Sequence, residues 1–149
     1  MNMAKNYVID TTSLISYFEK VFKEKPKISR PALRVMENAF KMHSEIKLSI
    51  PSIVFIEIFD KWYRYEEMAA KIKIEIMNLI MERPNIEIKP IEKEVLENFL
   101  KIKDKSIKID NHDKIIMASS MMLQWPLITS DSKIIKYNRR HGVIPYILY

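Results

Sequence analysis

The chain has 149 residues, 48% of them hydrophobic and 30% charged, with a formal net charge of +6, one glycine and no cysteine. That length supports one domain, residues 1–149, with a sizeable core, and the missing cysteines exclude a disulfide framework, a thiol nucleophile and cysteine-ligated zinc. A P-loop or dinucleotide fingerprint needs several glycines at fixed spacing, so Gly142 alone excludes both, and His43, His112 and His141 are too scattered for an HExxH zinc motif.

In chain order, Tyr7-Val8-Ile9 reads as a first strand that ends in Asp10, and Ser13 to Phe22 reads as a helix. Lys23 to Ser29 is a charged loop. Pro31 suits the first turn of a helix running to about Met42. Lys47 to Ile50 is a short strand, and Ser52 is placed to cap a helix from Ile53 to about Tyr65. A charge-paired helix continues to about Glu82 and is stopped by Pro84. Ile86-Glu87-Ile88-Lys89 alternates as a strand does, and Glu92 to Ile102 is helical. After a basic loop, Asn111 to Gln124 forms a helix whose inner face includes Ile115, Met122 and Leu123. Leu127-Ile128-Thr129 is a strand, Ser132 to Asn138 a helix, and Val143 to Leu148 a last strand. Strands alternating with helices predict an α/β fold, a parallel sheet with helices on both faces.

No uninterrupted apolar run approaches the ~18 residues that span a bilayer, and Asn6 to Asp10 interrupts any signal-like apolar region. The expectation is a cytoplasmic protein with no membrane association. The positive charge favours a polyanionic partner.

The chain has six aspartates, and two of them, Asp10 and Asp131, stand directly beyond predicted strands. In a parallel sheet such positions share one edge, where ligands bind. Asp113 opens a helix, and Glu57 lies one turn inside the helix that starts near Ser52. Each has an ordinary structural role available. The aspartates suit helix caps, worth ~0.5–2 kcal/mol apiece. Neighbouring hydroxyls and an amide (Thr11, Thr12 and Ser13; Asn111; Ser130 and Ser132) offer the same service, which makes the carboxylates redundant as caps. Glu57 can pair with Lys61 one turn on, for ~0.2–0.5 kcal/mol on an exposed face. Four such carboxylates on one edge make a pocket of unneutralised negative charge. Hard divalent cations take oxygen ligands of this kind. Two of them ~3.5–4 Å apart can activate water and stabilise the leaving oxygen in phosphodiester cleavage.

The order and spacing of Asp10-Thr11-Thr12-x-Leu14-Ile15, Ser52-Ile53-Val54-x-x-Glu57, His112-Asp113-x-Ile115-Ile116-x-Ala118 and Leu127-Ile128-Thr129-x-Asp131 resemble PIN-domain ribonucleases, especially VapC-type toxins, across essentially the whole chain. The resemblance implies a three-layer α/β/α fold with a parallel sheet of about five strands, often dimeric, that cleaves RNA. It implies that Asp10, Glu57, Asp113 and Asp131 form an acidic quartet binding Mg²⁺ or Mn²⁺. Thr12 would help to orient the first acid and Thr129 would support the last. An antitoxin protein and a second copy of the chain are the implied protein partners, alongside the RNA substrate.

Lys108, Lys114 and Lys133 flank the quartet in sequence and are candidate phosphate contacts, next to Lys103, Lys105 and Lys136. Phe59, Trp62, Tyr63 and Tyr65 are able to stack bases, but their helical spacing favours core or dimer packing. A PIN-like module that binds RNA or protein without cleaving is the alternative. A phosphoacceptor domain is disfavoured, because Asp10 is followed by Thr11 and Ser49-Ile50-Pro51 offers no acceptor aspartate.

Overall fold

The structure is a computed structural model and describes residues 4–149. Five strands, β1 (Asn6–Ile9), β2 (Lys47–Pro51), β3 (Ile86–Lys89), β4 (Leu127–Ile128) and β5 (Ile147–Leu148), form one parallel sheet in the order β3-β2-β1-β4-β5. Val8, in the central strand, pairs with Ser49 on one side and Leu127 on the other. Val8, Ile9, Leu48, Ile50, Leu127 and Ile128 are all fully buried. Helices cover both faces of such a sheet, so β1 and β4 at its centre read as apolar runs, whereas the edge strand β3 alternates Ile86-Glu87-Ile88-Lys89.

The chain winds outward from β1 through β2 to β3, then returns to lay β4 against the other side of β1. Strand order therefore reverses between β1 and β4. That reversal opens a crevice at the carboxyl ends of the two strands, the place where open α/β sheets bind ligands. Right-handed crossovers place the helices between β1 and β3 on one face and those between β3 and β5 on the other.

The helices are α1 (Thr11–Tyr17), α2 (Glu19–Phe22), α3 (Arg30–Phe40), α4 (Ser52–Trp62), α5 (Glu66–Lys71), α6 (Asn78–Met81), α7 (Lys93–Phe99), α8 (Asn111–Leu123) and α9 (Ser132–His141). A π-helical segment, Ile72–Met77, joins α5 to α6. Ile72 and Ile76 of this segment and Ile80 of α6 form a buried stripe.

Several sequence-based boundaries move, each for a tertiary reason. The helix expected over Ser13 to Phe22 starts two residues earlier and breaks at Phe18, whose backbone leaves the helical region. Phe18 meets Tyr17 and Phe40 in an aromatic cluster, with Tyr17 stacked on Phe40 at 4.4 Å between ring centroids. Ser52 does not cap α4. Pro51 holds the cap position without a side-chain bond, and Ser52 is the first helical residue. The helix stops at Trp62 rather than Tyr65, with the indole buried against Phe22 at 4.6 Å. In α8 the fully covered residues include Ile116, Met117 and Ala118, while Ile115, Met122 and Leu123 are only partly covered. Sheet, α4 and α7 all press on α8, so its buried face is broad. Ser119 and Ser120 enter that face by bonding to the carbonyls of Ile115 and Trp125.

No helix among the described residues is long and apolar enough to cross a membrane.

One buried hydroxyl among the described residues lacks a partner, that of Ser49 in β2. An unsatisfied buried polar group costs ~1–3 kcal/mol. Ser49→Ala is therefore expected to raise the stability by about 1 kcal/mol, read as a higher urea midpoint. A lower midpoint would show that the hydroxyl contributes favourably where it stands.

Candidate functional site

Asp10 stands where β1 ends and caps α1. It is 4% exposed. Its Oδ1 accepts from the Ser13 backbone N–H at 2.9 Å and lies 2.6 Å from Ser13 Oγ. Its Oδ2 accepts from Thr129 Oγ1. Thr129 is fully buried just past β4, and its Oγ1 accepts in turn from the Asp131 backbone N–H at 3.1 Å. The Thr129 hydroxyl, 119 residues along the chain from Asp10, thus ties the first acid to the last.

Asp131 caps α9, its Oδ1 accepting from the N–H groups of Lys133 at 2.8 Å and Ile134 at 3.2 Å. Both end acids are caps as well as site carboxylates, and for Asp131 this leaves Oδ2 available. Asp113 is not a cap. Asp110 holds that position for α8, and Asp113 is the third helical residue. Glu57 is half-buried on α4, where α4 meets α8. Its Oε1 accepts from Thr11 Oγ1 at 2.8 Å. The Lys61 pairing open to it in the sequence is not made, because Lys61 reaches Glu24 at 2.9 Å instead.

The field of the cluster registers on Asp113. Burial, and then the charges of Asp131, Glu57, Asp10 and Asp110, push its carboxyl up to about 7. Asp10 is also raised, chiefly by burial, against the opposing hydrogen bonds from Ser13 and Thr129. None of the four carboxylates has an ion-pair partner among the described residues. A negative cluster in a half-covered crevice invites a cation.

The donor set suits a hard cation: oxygen donors only, with Asp131 Oδ2, Glu57 Oε2 and the Asp113 carboxylate uncommitted among the described residues. As they stand, no group of three or more His, Cys, Asp or Glu side chains among the described residues is set to hold an ion.

Thr12 is half-buried on α1, but the hydroxyl on Asp10 belongs to Ser13 and the one on Glu57 to Thr11. An N-cap carboxylate bonds the second or third helical N–H. With α1 starting at Thr11 rather than at the expected Ser13, that geometry selects Ser13 for Asp10 and turns Thr11 to Glu57. Lys114 follows Asp113 on α8, with its ammonium 5.4 Å from the centroid of the Phe99 ring. Lys108 and Lys133 are exposed. Among the four aromatics, Trp62 is core and Phe59 packs against it, while Tyr63 and Tyr65 are exposed.

The family model described as PIN domain matches residues 7–140. Among solved structures, the chain is similar to FitAcB from Neisseria gonorrhoeae, at 12% identity over 96% of each chain and a TM-score of 0.65. It is similar to VapBC-1 from nontypeable Haemophilus influenzae, at 22% identity over 95% of this chain and 96% of that one, TM-score 0.60. A toxin-antitoxin complex from Klebsiella pneumoniae matches at 20% identity over 85% of this chain and 88% of that one, TM-score 0.54. At these identities the likeness is one of fold. No curated protein matches the chain.

The raised carboxyl of Asp113 has a definite linkage sign. The folded chain holds a proton there that the unfolded chain, with a carboxyl near 3.8, releases. Metal-free protein is therefore expected to lose stability as pH rises from about 4 to about 7. Asp113→Asn should flatten that loss and melt higher than the wild type at pH ~8, with the difference shrinking toward pH ~4. Parallel curves over this window would exclude Asp113 as the group responsible. Thr129→Val strips a buried carboxylate oxygen of its donor and is expected to cost ~1–3 kcal/mol, measured by urea unfolding.

Proposed function

The chain belongs to the PIN-domain family, and from that membership we propose that it is a metal-dependent endoribonuclease hydrolysing RNA phosphodiester bonds. PIN domains are generally nucleases. The observation that carries the finer reading is the gathering of Asp10, Glu57, Asp113 and Asp131 at the sheet's reversal point with no basic side chain paired to them among the described residues.

Bound Mg²⁺ or Mn²⁺ would supply the Lewis acid and a water of lowered pKa. The residues divide the remaining work. Asp10 is the rigid anchor, since both its oxygens are held from below by Ser13 and Thr129. Asp131 is fixed by its own cap bonds and offers its free oxygen. Asp113 feels the charges of the other three, and a bound cation would relieve that repulsion. Glu57 comes from a different helix and is held by Thr11, so its free oxygen closes the crevice from the α4 side. The net charge of +6 favours association of the protein as a whole with a polyanion.

We extend the reading to the toxin half of a toxin–antitoxin pair, with an antitoxin protein and a second copy of the chain as partners. The similarity to the Klebsiella pneumoniae toxin-antitoxin complex supports this extension. A second reading, a PIN-fold module that binds RNA or protein without cleaving, draws on the absence of a ready-made ion cage among the described residues.

Asp10→Asn and Asp113→Asn are each expected to reduce Mg²⁺- or Mn²⁺-dependent cleavage of total RNA at least about 100-fold, with circular dichroism unchanged. Full activity in both purified variants would sink the quartet. RNA binding that persists in EDTA, with no cleavage of a broad RNA panel in either metal, would establish the second reading instead.

A further inference from the structure

We propose that a hollow on the flank of the carboxylate site binds backbone phosphate of single-stranded RNA, a subsite that rests on the ribonuclease reading. The hollow lies between residues 102–109, the start of α8 and Tyr137 of α9, and has a volume of about 190 Å³. Lys103, Lys108 and Lys114 line it, and Asp104 is the acid among its walls.

Three lysines beside one aspartate make an anion site only if the aspartate does not neutralise them. Here it is already engaged. Asp104 Oδ2 accepts from Arg140 Nη1 at 2.9 Å and lies 2.8 Å from His141 Nε2. Its Oδ1 accepts from the Ser106 backbone N–H at 2.8 Å and from Ser106 Oγ at 2.7 Å. The His141 and Ser106 contacts hold its carboxyl well below the usual carboxylate range. The charge of Asp104 is thus directed to the end of α9. Lys103, Lys108 and Lys114 have no ion-pair partner among the described residues.

The same contacts anchor the lysine-bearing segment. Asp104 fastens it to α9, and the Lys103 N–H donates to Tyr137 Oη at 3.1 Å. Lys114 is held over the Phe99 ring. The lysines are therefore displayed on a fixed rim, which lowers the ordering cost of engaging a phosphate.

Placement supports a continuation of the active crevice. Lys114 follows Asp113, and Tyr137 lies six residues beyond Asp131 on α9, about 9 Å along the axis at 1.5 Å per residue. A strand leaving the carboxylates reaches the hollow within a short run of nucleotides. The Tyr137 ring is buried, and the other apolar walls are isoleucines, so the hollow offers charge without a stacking platform. The contact is accordingly to phosphate and insensitive to base.

The test is fluorescence anisotropy of the full chain with a labelled single-stranded RNA of mixed sequence, in EDTA, over a range of salt concentrations. Lys108→Ala/Lys114→Ala is expected to bind at least about tenfold more weakly at low salt, with the slope of log K against log salt shallower by about 1.4, at about 0.7 per contact. Lys41→Ala/Lys47→Ala removes the same charge at the amino edge of the sheet and is expected to bind as the wild type does. Equal weakening in both double variants, an unchanged Lys108→Ala/Lys114→Ala, or a wild type that binds no RNA would each overturn the subsite. Should the double variant lose its fold, the exposed Lys108→Ala alone is expected to shift the slope by about 0.7, and no shift would overturn it. A wild type that binds through these lysines yet cleaves no RNA with Mg²⁺ or Mn²⁺ supports the subsite and overturns the nuclease reading alone.

Discussion

A carboxylate sealed at the end of the central strand sets the terms for everything around it. Asp10 is 4% exposed, and burying a charge of this kind costs several kcal/mol unless hydrogen bonds replace the lost water. Ser13 meets one oxygen from the first turn of α1, and Thr129 meets the other from beyond β4. Ser13 Oγ also lies 3.0 Å from the Ile128 carbonyl, so the same hydroxyl stands against the neighbouring strand. These bonds form only if β4 lies beside β1 in the observed register, Ile9 opposite Ile128. Satisfying Asp10 and closing the centre of the sheet are therefore one requirement.

The other acids inherit their places from that requirement. Thr129 takes the Asp131 N–H on the oxygen whose proton goes to Asp10, so the start of α9 is referenced to the end of β1. The meeting of α4 with α8 brings Glu57 and Asp113 to the same edge. The result works against stability in metal-free protein, since four carboxylates share a half-covered crevice and the carboxyl of Asp113 is pushed up to about 7. Functional sites commonly hold such strain because the scaffold elsewhere is sound. Here the scaffold is a continuous apolar core reaching from Tyr7 to Ile144. On the proposed reading the same repulsion becomes the drive for cation uptake, so the groups that weaken the metal-free protein are the ones that the reaction needs.

Charge is sorted with equal economy away from the crevice. Asp104 is matched locally to Arg140 and His141, and Lys61 to Glu24, whereas the site acids and the three lysines of the adjoining hollow have no ion-pair partner among the described residues. On the proposed reading, opposite charges kept apart in neighbouring concavities leave one to a cation and the other to an anion, and an RNA backbone with its metal ions presents both.

Much of this was legible in the chain itself. Apolar runs and, for β3, apolar alternation marked the strands, and the carboxylates beyond β1 and β4 pointed to the edge of the candidate site, because strand polarity in a parallel sheet is fixed by alternation with helices. The four-block spacing identified the family that the domain match then established. What the chain could not disclose was which side chain answers which. Glu57 had Lys61 four residues away, yet it is bonded to Thr11, 46 residues distant, while Lys61 turned to Glu24. Thr129 was expected to serve Asp131 and serves Asp10 as well. Local rules cover neighbours within a turn of helix or a step of strand. Strand order, the reversal beside β1 and the crossing of α4 with α8 are set by packing between distant segments, where burial of many apolar side chains outweighs any single local pairing.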